Sequence, residues 1–374
     1  MTVHTLINTI KEYDWGSPTA IPALAGRTPT GRPQAEMWLG AHAAGPSTLV
    51  RDGVRRTLTE VIAHDVDAEI GPATRERFGA RLPYLLKMIA VAQPLSIQVH
   101  PSPEQARGAF DSGDANYVDP YAKPELICAL TPFSALAGLR HPSTAADLLE
   151  ALKIESLAEL VDVLRTADHR DAHLDVLRRL TTWPLERRSD LVAAVRESAA
   201  ALDGTAFGLV ENLVARHPDD PMVLAPLLLE HHELAPGEGM FLGAGVVHCY
   251  LEGLGVELMG ASDNVLRAGL TSKTVDPEGL LAIVDPSRRP IKVTAQDGVY
   301  DTPAPEFRLR RADAGETLKL AAGLPRIVLC TAGTAKVSVP EPHTVRAGES
   351  LFLPASEPLD LTADGTLFVA EPGI

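Results

Sequence analysis

Two segments of this chain, Gly237-Glu-Gly-Met-Phe-Leu-Gly-Ala244 and Gly348-Glu-Ser-Leu-Phe-Leu-Pro-Ala355, align without gaps 111 positions apart. A glycine-acid turn that opens into an apolar strand, made twice, requires the chain to build the same kind of β unit twice. Within the copies three positions differ, and beyond them one difference bears on chemistry. His248 follows the first copy, and Leu359 stands at the same offset after the second.

Residues Leu95-Ser-Ile-Gln-Val-His100 alternate apolar and polar side chains. On a strand this puts Leu95, Ile97 and Val99 on one face and Ser96, Gln98 and His100 on the other. Pro101 then ends the ladder, because it has no N–H to donate. Gln98 and His100 can both reach one point, read here as a metal centre completed from elsewhere in the chain. A Gln-x-His pair alone is more often the solvated face of an antiparallel sheet, and the metal reading rests on further ligands. Glu125 opens the apolar strand Leu126-Ile-Cys-Ala-Leu after an irregular stretch from Pro101 to Pro124, and supplies a carboxylate. His248 shares a face with Val246 and Tyr250, with Cys249 turned away. Imidazole, amide and carboxylate together suit Zn²⁺, Fe²⁺ or Mn²⁺ better than Ca²⁺ or Mg²⁺. The set holds no thiolate and an amide is a weak ligand, so a coordination position is expected to stay open, as in catalytic sites.

The spacing elsewhere predicts mainly β structure with a helical insert. Residues 57–79 read as one or two short helices. Leu85–Ala92 is an apolar run suited to a strand buried on both faces, with Lys87 inside it. Lysine is rarely buried without a partner, so Lys87 either snorkels outward or faces a polar cavity. From Pro142 to Val223 leucines and valines recur at helical spacing, with capping-box signatures at Thr144–Asp147 and Ser156–Glu159. No site is seen in that segment. His231-His232 reads as a surface loop before β character resumes at Glu233, and Trp15 and Trp38 read as core. The last segment is strand-like, with strands at Phe307–Arg311, Thr317–Leu320, Arg326–Leu329, 335–339 and Ser350–Leu353, the rhythm of a sandwich or small barrel.

A net charge of −15 argues against nucleic acid or an anionic membrane as the main partner, though not against a small anionic substrate held by local cations. The N-terminus has no signal pattern and no apolar run is long enough to span a membrane. Three widely spaced cysteines form neither a zinc pair nor a disulfide framework. A cytoplasmic protein with reduced thiols is expected.

The repeated turn-and-strand resembles the signature of cupin barrels, in which the segment often leads to a metal-binding histidine; the resemblance implies that the first unit, with His248, is the functional one and the second, with Leu359, is structural. Two cupin-type β-barrel or jelly-roll domains plus an α-helical domain are expected. The boundaries expected are 1–140 with 224–290 for the catalytic domain, 141–223 for the helical insert and 291–374 for a degenerate C-terminal β domain. Further segments carry a narrower resemblance: Gln98-Val-His100, Lys123-Pro-Glu125, Gly245-Val-Val-His248-Cys-Tyr250 and Ser262-Asp-Asn-Val-Leu-Arg267-Ala-Gly-Leu-Thr-Ser-Lys273. Together with Asp14-Trp15-Gly16 and Glu36-Met-Trp-Leu-Gly-Ala-His42 they are similar to the motifs of type I phosphomannose isomerases, from about residue 5 to about residue 290. Ser272 departs from the proline usual in that family before the lysine.

The resemblance implies a metal-dependent aldose–ketose isomerase, with one Zn²⁺ per chain, that interconverts D-mannose 6-phosphate and D-fructose 6-phosphate through an enediol. It places the zinc ligands on Gln98, His100, Glu125 and His248 and the active-site arginine on Arg267. Trp15, Glu36, Lys87, Ser96, Lys123, Tyr250, Glu257, Asp263 and Lys273 become pocket residues. Such chemistry needs a group that stabilises the enediolate, a base between C1 and C2, and cations for the phosphate. Arg267 is assigned to the developing charge and Lys273, with Ser96, to the phosphate. Glu257 is favoured as the base, with Lys123 or a water on the metal as rivals. By pattern alone Glu257 reads as a surface carboxylate, Arg267 and Lys273 as solvated loop cations, Lys123 as a partner of Glu125, and Tyr250 as core. The partner expected is a small-molecule sugar phosphate, and the chain is expected to be a monomer. The alternatives from other classes are a cupin-type metal dioxygenase and a non-enzymatic sugar-phosphate-binding protein.

Overall fold

The strand His248–Gly260 is the spine of the first β unit. The computed structural model describes residues 4–338 and 342–374. The first half of the spine pairs with Ile97–Val99 and Phe133–Leu139, and the second half with Tyr84–Val91 and Glu125–Ala129. The change of partners falls at Gly253, where φ is +134° and a Cβ would lie 2.5 Å from the Phe133 ring. Only glycine fits that bend.

Two antiparallel layers result. One runs Ile291–Thr294, Glu238–Leu242, Glu125–Ala129, the spine, Tyr84–Val91, Glu36–Leu39 and Thr9–Lys11. The other runs Leu229–Leu234, Phe133–Leu139, the spine, Ile97–Val99 and Leu266–Gly269. Ile89, Val91, Ile127, Phe133, Met240, Leu242 and Tyr250 fill the space between them. Among the described residues both layers end in free edges, so the closed barrel is not formed. The bent spine gives its two halves to facing layers instead of one continuous ladder.

The second β unit is also two-layered. His4–Thr5, Ser350–Leu353, Arg326–Ala332, Thr366–Glu371, Arg308–Ala312 and Val299–Tyr300 make one sheet. Thr317–Leu320, Leu359–Ala363, Thr334–Ser338 and Pro342–Arg346 make the other. Val328, Val337, Leu351, Leu361 and Val369 lie between them. Val339, the last residue of one expected strand, lies outside the described residues. Backbone pairing also crosses residue 290, because Ile291–Thr294 joins Glu238–Leu242 and the N-terminal His4–Thr5 joins Ser350–Leu353.

The repeat has the same local chemistry in both copies. Gly237 and Gly348 have φ of +90° and +81°. The acid that follows accepts from the backbone three residues earlier, Glu238 from Ala235 N–H at 2.8 Å and Glu349 from Arg346 N–H at 2.9 Å. Gly315-Glu316 makes a third such turn that the sequence reading missed, with Glu316 accepting from Asp313 N–H.

The outer face of the first unit packs Leu86, Met88, Leu126, Val256 and Leu258 against Phe307, Leu309, Ile327, Phe352 and Phe368 of the second. Phe352 is fully buried. Phe352→Ala is expected to cost about 3–5 kcal/mol of stability in urea titration, while touching no candidate ligand. A loss well under 1 kcal/mol would contradict this packing.

The helices Pro142–Ala151, Ala158–Thr166, His169–Thr181, Leu185–Ala199 and Thr205–Val214 cover the other layer, where Leu149, Leu160, Val195 and Val210 meet Leu136, Val247, Cys249 and Leu266. The first of them starts earlier than the Thr144 signature implied. Pro142 sits in its first turn and the His141 side chain caps it, since proline is preorganised for that position. Ser156 lies inside a 3₁₀ turn, Glu155–Leu157, and makes no cap hydrogen bond. The stretch after Pro101 is not wholly irregular: Pro103–Asp111 is a helix with a capping box between Ser102 and Gln105. His231 and His232 are strand residues, not surface loop, and bond Ser134 Oγ at 2.8 Å and Ala137 O at 3.0 Å. Leu95 does not share the face of Ile97 and Val99. The strand begins only at Ile97, and Leu95 packs in the interlayer core beside Tyr250.

Candidate active site and metal centre

Glu125 begins its strand, His248 begins the spine, and His100 directly follows Ile97–Val99. The register places His248 opposite Gln98. Three strand ends thus meet with their polar side chains inward. His100, Glu125 and His248 are each 2% exposed or less, and one donor atom from each lies within 4.8 Å of the others. Glu125 Oε1 stands 3.3 Å from His100 Nε2, and Oε2 stands 3.3 Å from His248 Nε2.

The outer nitrogens are committed. His100 Nδ1–H donates to Asn264 O and His248 Nδ1–H to Val246 O, both at 2.9 Å. Each bond selects the tautomer whose Nε2 lone pair faces the centre. Burial pushes His100 down to about 4, so its ring is neutral and able to ligate at pH 7. Burial alone would raise Glu125, but Lys123 Nζ at 3.1 Å and the His100 imidazole hold it well below the usual carboxylate range. Gln98 reaches the same point, its amide nitrogen 3.3 Å from His248 Nε2. Amide oxygen and nitrogen exchange by a flip, so Gln98 can offer its oxygen.

A cation fits this set. His100 Nε2 and Glu125 Oε2 are buried without a properly aligned hydrogen bond among the described residues. Native proteins rarely leave such atoms unsatisfied. Two neutral imidazoles, an ionised carboxylate and an amide have the chemistry of a catalytic zinc-type site.

The Ser262-Asp-Asn run explains how His100 is held. Asn264 Nδ2 donates to Asp119 O at 2.7 Å and Tyr121 O at 2.9 Å, and Ser262 Oγ donates to Asp119 Oδ1 at 2.9 Å. The loop is locked, and its Asn264 carbonyl faces the imidazole. Asp119 and Asn264 were not singled out from sequence, because nothing local shows that segments 145 residues apart pair.

Above the ligands lies a cavity of about 860 Å³. Trp15, Glu36, Lys87, Ser96, Gln98, Lys123, Glu125, Tyr250, Glu257, Asp263, Arg267 and Lys273 all line it. Lys87 does not snorkel. It is buried between Glu257 Oε2 at 3.1 Å and Glu36 Oε1 at 3.4 Å, and Trp38 Nε1 donates to Glu36 Oε2 at 2.7 Å. Burial would lower the Lys87 ammonium, but Glu257 and Glu36 hold it above its ordinary value. Glu257 is 3% exposed, not the surface carboxylate its pattern suggested. Burial, with Glu125 and Glu36 nearby, keeps its carboxyl above the ordinary range despite Lys87. Tyr250 is buried with its ring edge-on to Phe133.

Arg267 pairs in register with Gln98, and a bulge follows it before Gly269. It has no carboxylate partner among the described residues, nor has Lys273, which is exposed at the rim. Asp263 is half exposed and faces His42 Nε2 at 3.5 Å. Tyr13 stacks on Trp15 at 5.7 Å and also lines the cavity. Arg216 and His217 line it too, so the helical segment does contribute to the site. Their sequence carries no signal of this, since they simply follow an amphipathic helix.

Residues 3–142 match the family description "Phosphomannose isomerase type I, catalytic domain". The chain is 33% identical to mannose-6-phosphate isomerase of Salmonella typhimurium and 34% to that of Escherichia coli K12, with 97% of each chain covered in both cases. Identity to the Homo sapiens enzyme is 29%, covering 94% of this chain and 95% of that one. An arginine-to-alanine mutant of Salmonella typhimurium phosphomannose isomerase superposes with a TM-score of 0.93 at 31% identity, all of both chains covered. A zinc-bound mannose 6-phosphate isomerase superposes with a TM-score of 0.91 at 30% identity, again over both full chains. None of these favours the dioxygenase or the non-enzymatic alternative.

Proposed function

The chain belongs to the type I phosphomannose isomerase family, and from that premise we propose how its cavity interconverts D-mannose 6-phosphate and D-fructose 6-phosphate. The observation that carries the reading is the buried His100–Glu125–His248 cluster, two of whose ligand atoms are unsatisfied among the described residues, below a cavity that also holds Arg267, which has no carboxylate partner among those residues. One Zn²⁺ per chain, held by these three and Gln98, would supply Lewis acidity to the sugar oxygens.

Glu257 removes the proton from C2 of the aldose to give the enediol and returns it to C1, the hydroxyl protons exchanging so that the ketose results. Its raised carboxyl can hold that proton long enough to deliver it. Lys87 keeps the base oriented. Lys123 is occupied by Glu125, which favours Glu257 over it. Arg267 stabilises the negative charge that builds on the reacting oxygens. Lys273 and Ser96 hold the phosphate, and Trp15, Tyr250, Glu36 and Asp263 shape the walls.

Glu257→Gln is expected to keep its zinc and lower kcat by about 10²–10⁴-fold. The base must be ionised, so kcat/KM falls as pH drops through the raised Glu257 pKa, at higher pH than an exposed glutamate would give. That acidic limb disappears in the variant. Near-normal turnover in Glu257→Gln would remove Glu257 from the role.

The same reading takes 1–140 with 224–290 as the catalytic cupin-type unit, 141–223 as the helical insert and 291–374 as the degenerate cupin-type unit. The separate cores of the two β units and the repeated turn support it. It takes the chain as a cytoplasmic monomer, and three buried free cysteines fit a reducing compartment. Among the described residues no helix is long and apolar enough to cross a membrane. The net charge of −15 disfavours nucleic acid. A coupled assay with mannose 6-phosphate tests the function directly, and absence of fructose 6-phosphate from zinc-loaded protein would refute it.

A further inference from the structure

We propose that Asp220, at the exit of the helical segment, is a positioning residue for the substrate's phosphate, because it pins the turn that joins Arg267 to Lys273. This rests on the roles given above to those two cations.

Asp220 Oδ2 accepts the Leu270 N–H at 2.6 Å. Its Oδ1 accepts the Met222 N–H at 2.9 Å and caps the 3₁₀ turn Pro221–Leu224. One carboxylate therefore ties the helical segment to the end of the strand Leu266–Gly269. The turn it grips is not one leucine favours: Leu270 has φ of +55°, in the left-handed region. The Leu270 side chain is 4% exposed and belongs to the same apolar core as Leu213, Val214 and Met222. The preceding backbone is seated equally closely. A Cβ on Gly269 would lie 2.6 Å from Met222 Cγ and 3.1 Å from Asp220 Oδ1. Arg267 and Lys273 stand three residues to either side of Leu270 and both line the cavity. The unfavourable turn persists because the helical segment holds it, and its shape sets the separation of the two cations. Arg216 and His217, on the approach to Asp220, line the same cavity.

A cap that served only the helical segment would affect melting and nothing else. The test therefore reads phosphate recognition in zinc-loaded protein. Wild-type turnover of mannose 6-phosphate is measured first, so that failure of the functional reading shows there and failure of the clamp shows only among variants. Asp220→Ala is expected to raise KM for mannose 6-phosphate and the competitive inhibition constant of inorganic phosphate, each by about tenfold or more, with zinc content unchanged. Asp220→Asn is expected to recover only part of both, because its single carboxamide oxygen can accept from Leu270 N–H while its NH₂ can no longer accept from Met222 N–H. Gly269→Ala, which leaves Asp220 intact but pushes the turn off Met222, is expected to give the same signature. Phosphate constants within twofold of wild type, in folded zinc-loaded Asp220→Ala or Gly269→Ala, would overturn the proposal.

Discussion

His100→Ala is expected to lose its zinc and, with it, turnover of mannose 6-phosphate by about 10³-fold or more. Two effects combine. The substitution removes one of two neutral imidazoles from a buried set in which nothing else can replace it. It also frees the Asn264 carbonyl that the imidazole bonds at 2.9 Å, loosening the loop that leads to Arg267. What remains is an ionised Glu125 beside Lys123 and His248, a poorer donor set for a divalent ion. The checks are metal content per chain and kcat of the purified variant. Zinc at one per chain with normal turnover would remove His100 from the coordination sphere. Gln98→Ala should be milder, because an amide contributes less to zinc affinity than an imidazole.

Arg267→Ala is expected to give the opposite pairing of results. Its zinc content and melting temperature should match wild type, while kcat/KM for mannose 6-phosphate falls by about 10²–10³-fold. The guanidinium is half-buried beside the cavity and has no carboxylate to release among the described residues. Its removal therefore leaves no buried charge orphaned, and the cost falls on the reacting sugar. Arg267→Lys should restore only part of the loss, because a single ammonium cannot reproduce the planar fork. Loss of zinc in Arg267→Ala would mean that the residue supports the centre instead of the chemistry. Undiminished kcat/KM would mean that it does neither.

Much of this molecule was legible because strand periodicity is a local property. The alternation at Ile97–His100 and Val246–Tyr250 gave the inward faces of two strand ends, and an apolar run interrupted only by Lys87 gave a strand, Tyr84–Val91, buried on both sides. The repeated glycine-acid turn is written in contiguous residues and was equally readable. What stayed hidden depends on contacts between distant segments. The bend at Gly253 is dictated by Phe133, 120 residues away, so a barrel expectation met two open layers. Glu257 looked solvent-facing because its strand carries few other polar residues; its partner Lys87 arrives from another strand. Arg216 and His217 come from a segment whose pattern speaks only of helix packing. Helix starts were misplaced where one signal masked another, as with Pro142 ahead of Thr144.

The most direct test is zinc dependence of isomerisation. Protein stripped by chelation is titrated with Zn²⁺ while conversion of mannose 6-phosphate to fructose 6-phosphate is followed. Activity should be absent from the stripped protein and should rise linearly to a plateau at one zinc per chain. Full activity in the stripped protein, or no fructose 6-phosphate at one equivalent of zinc, would contradict the account.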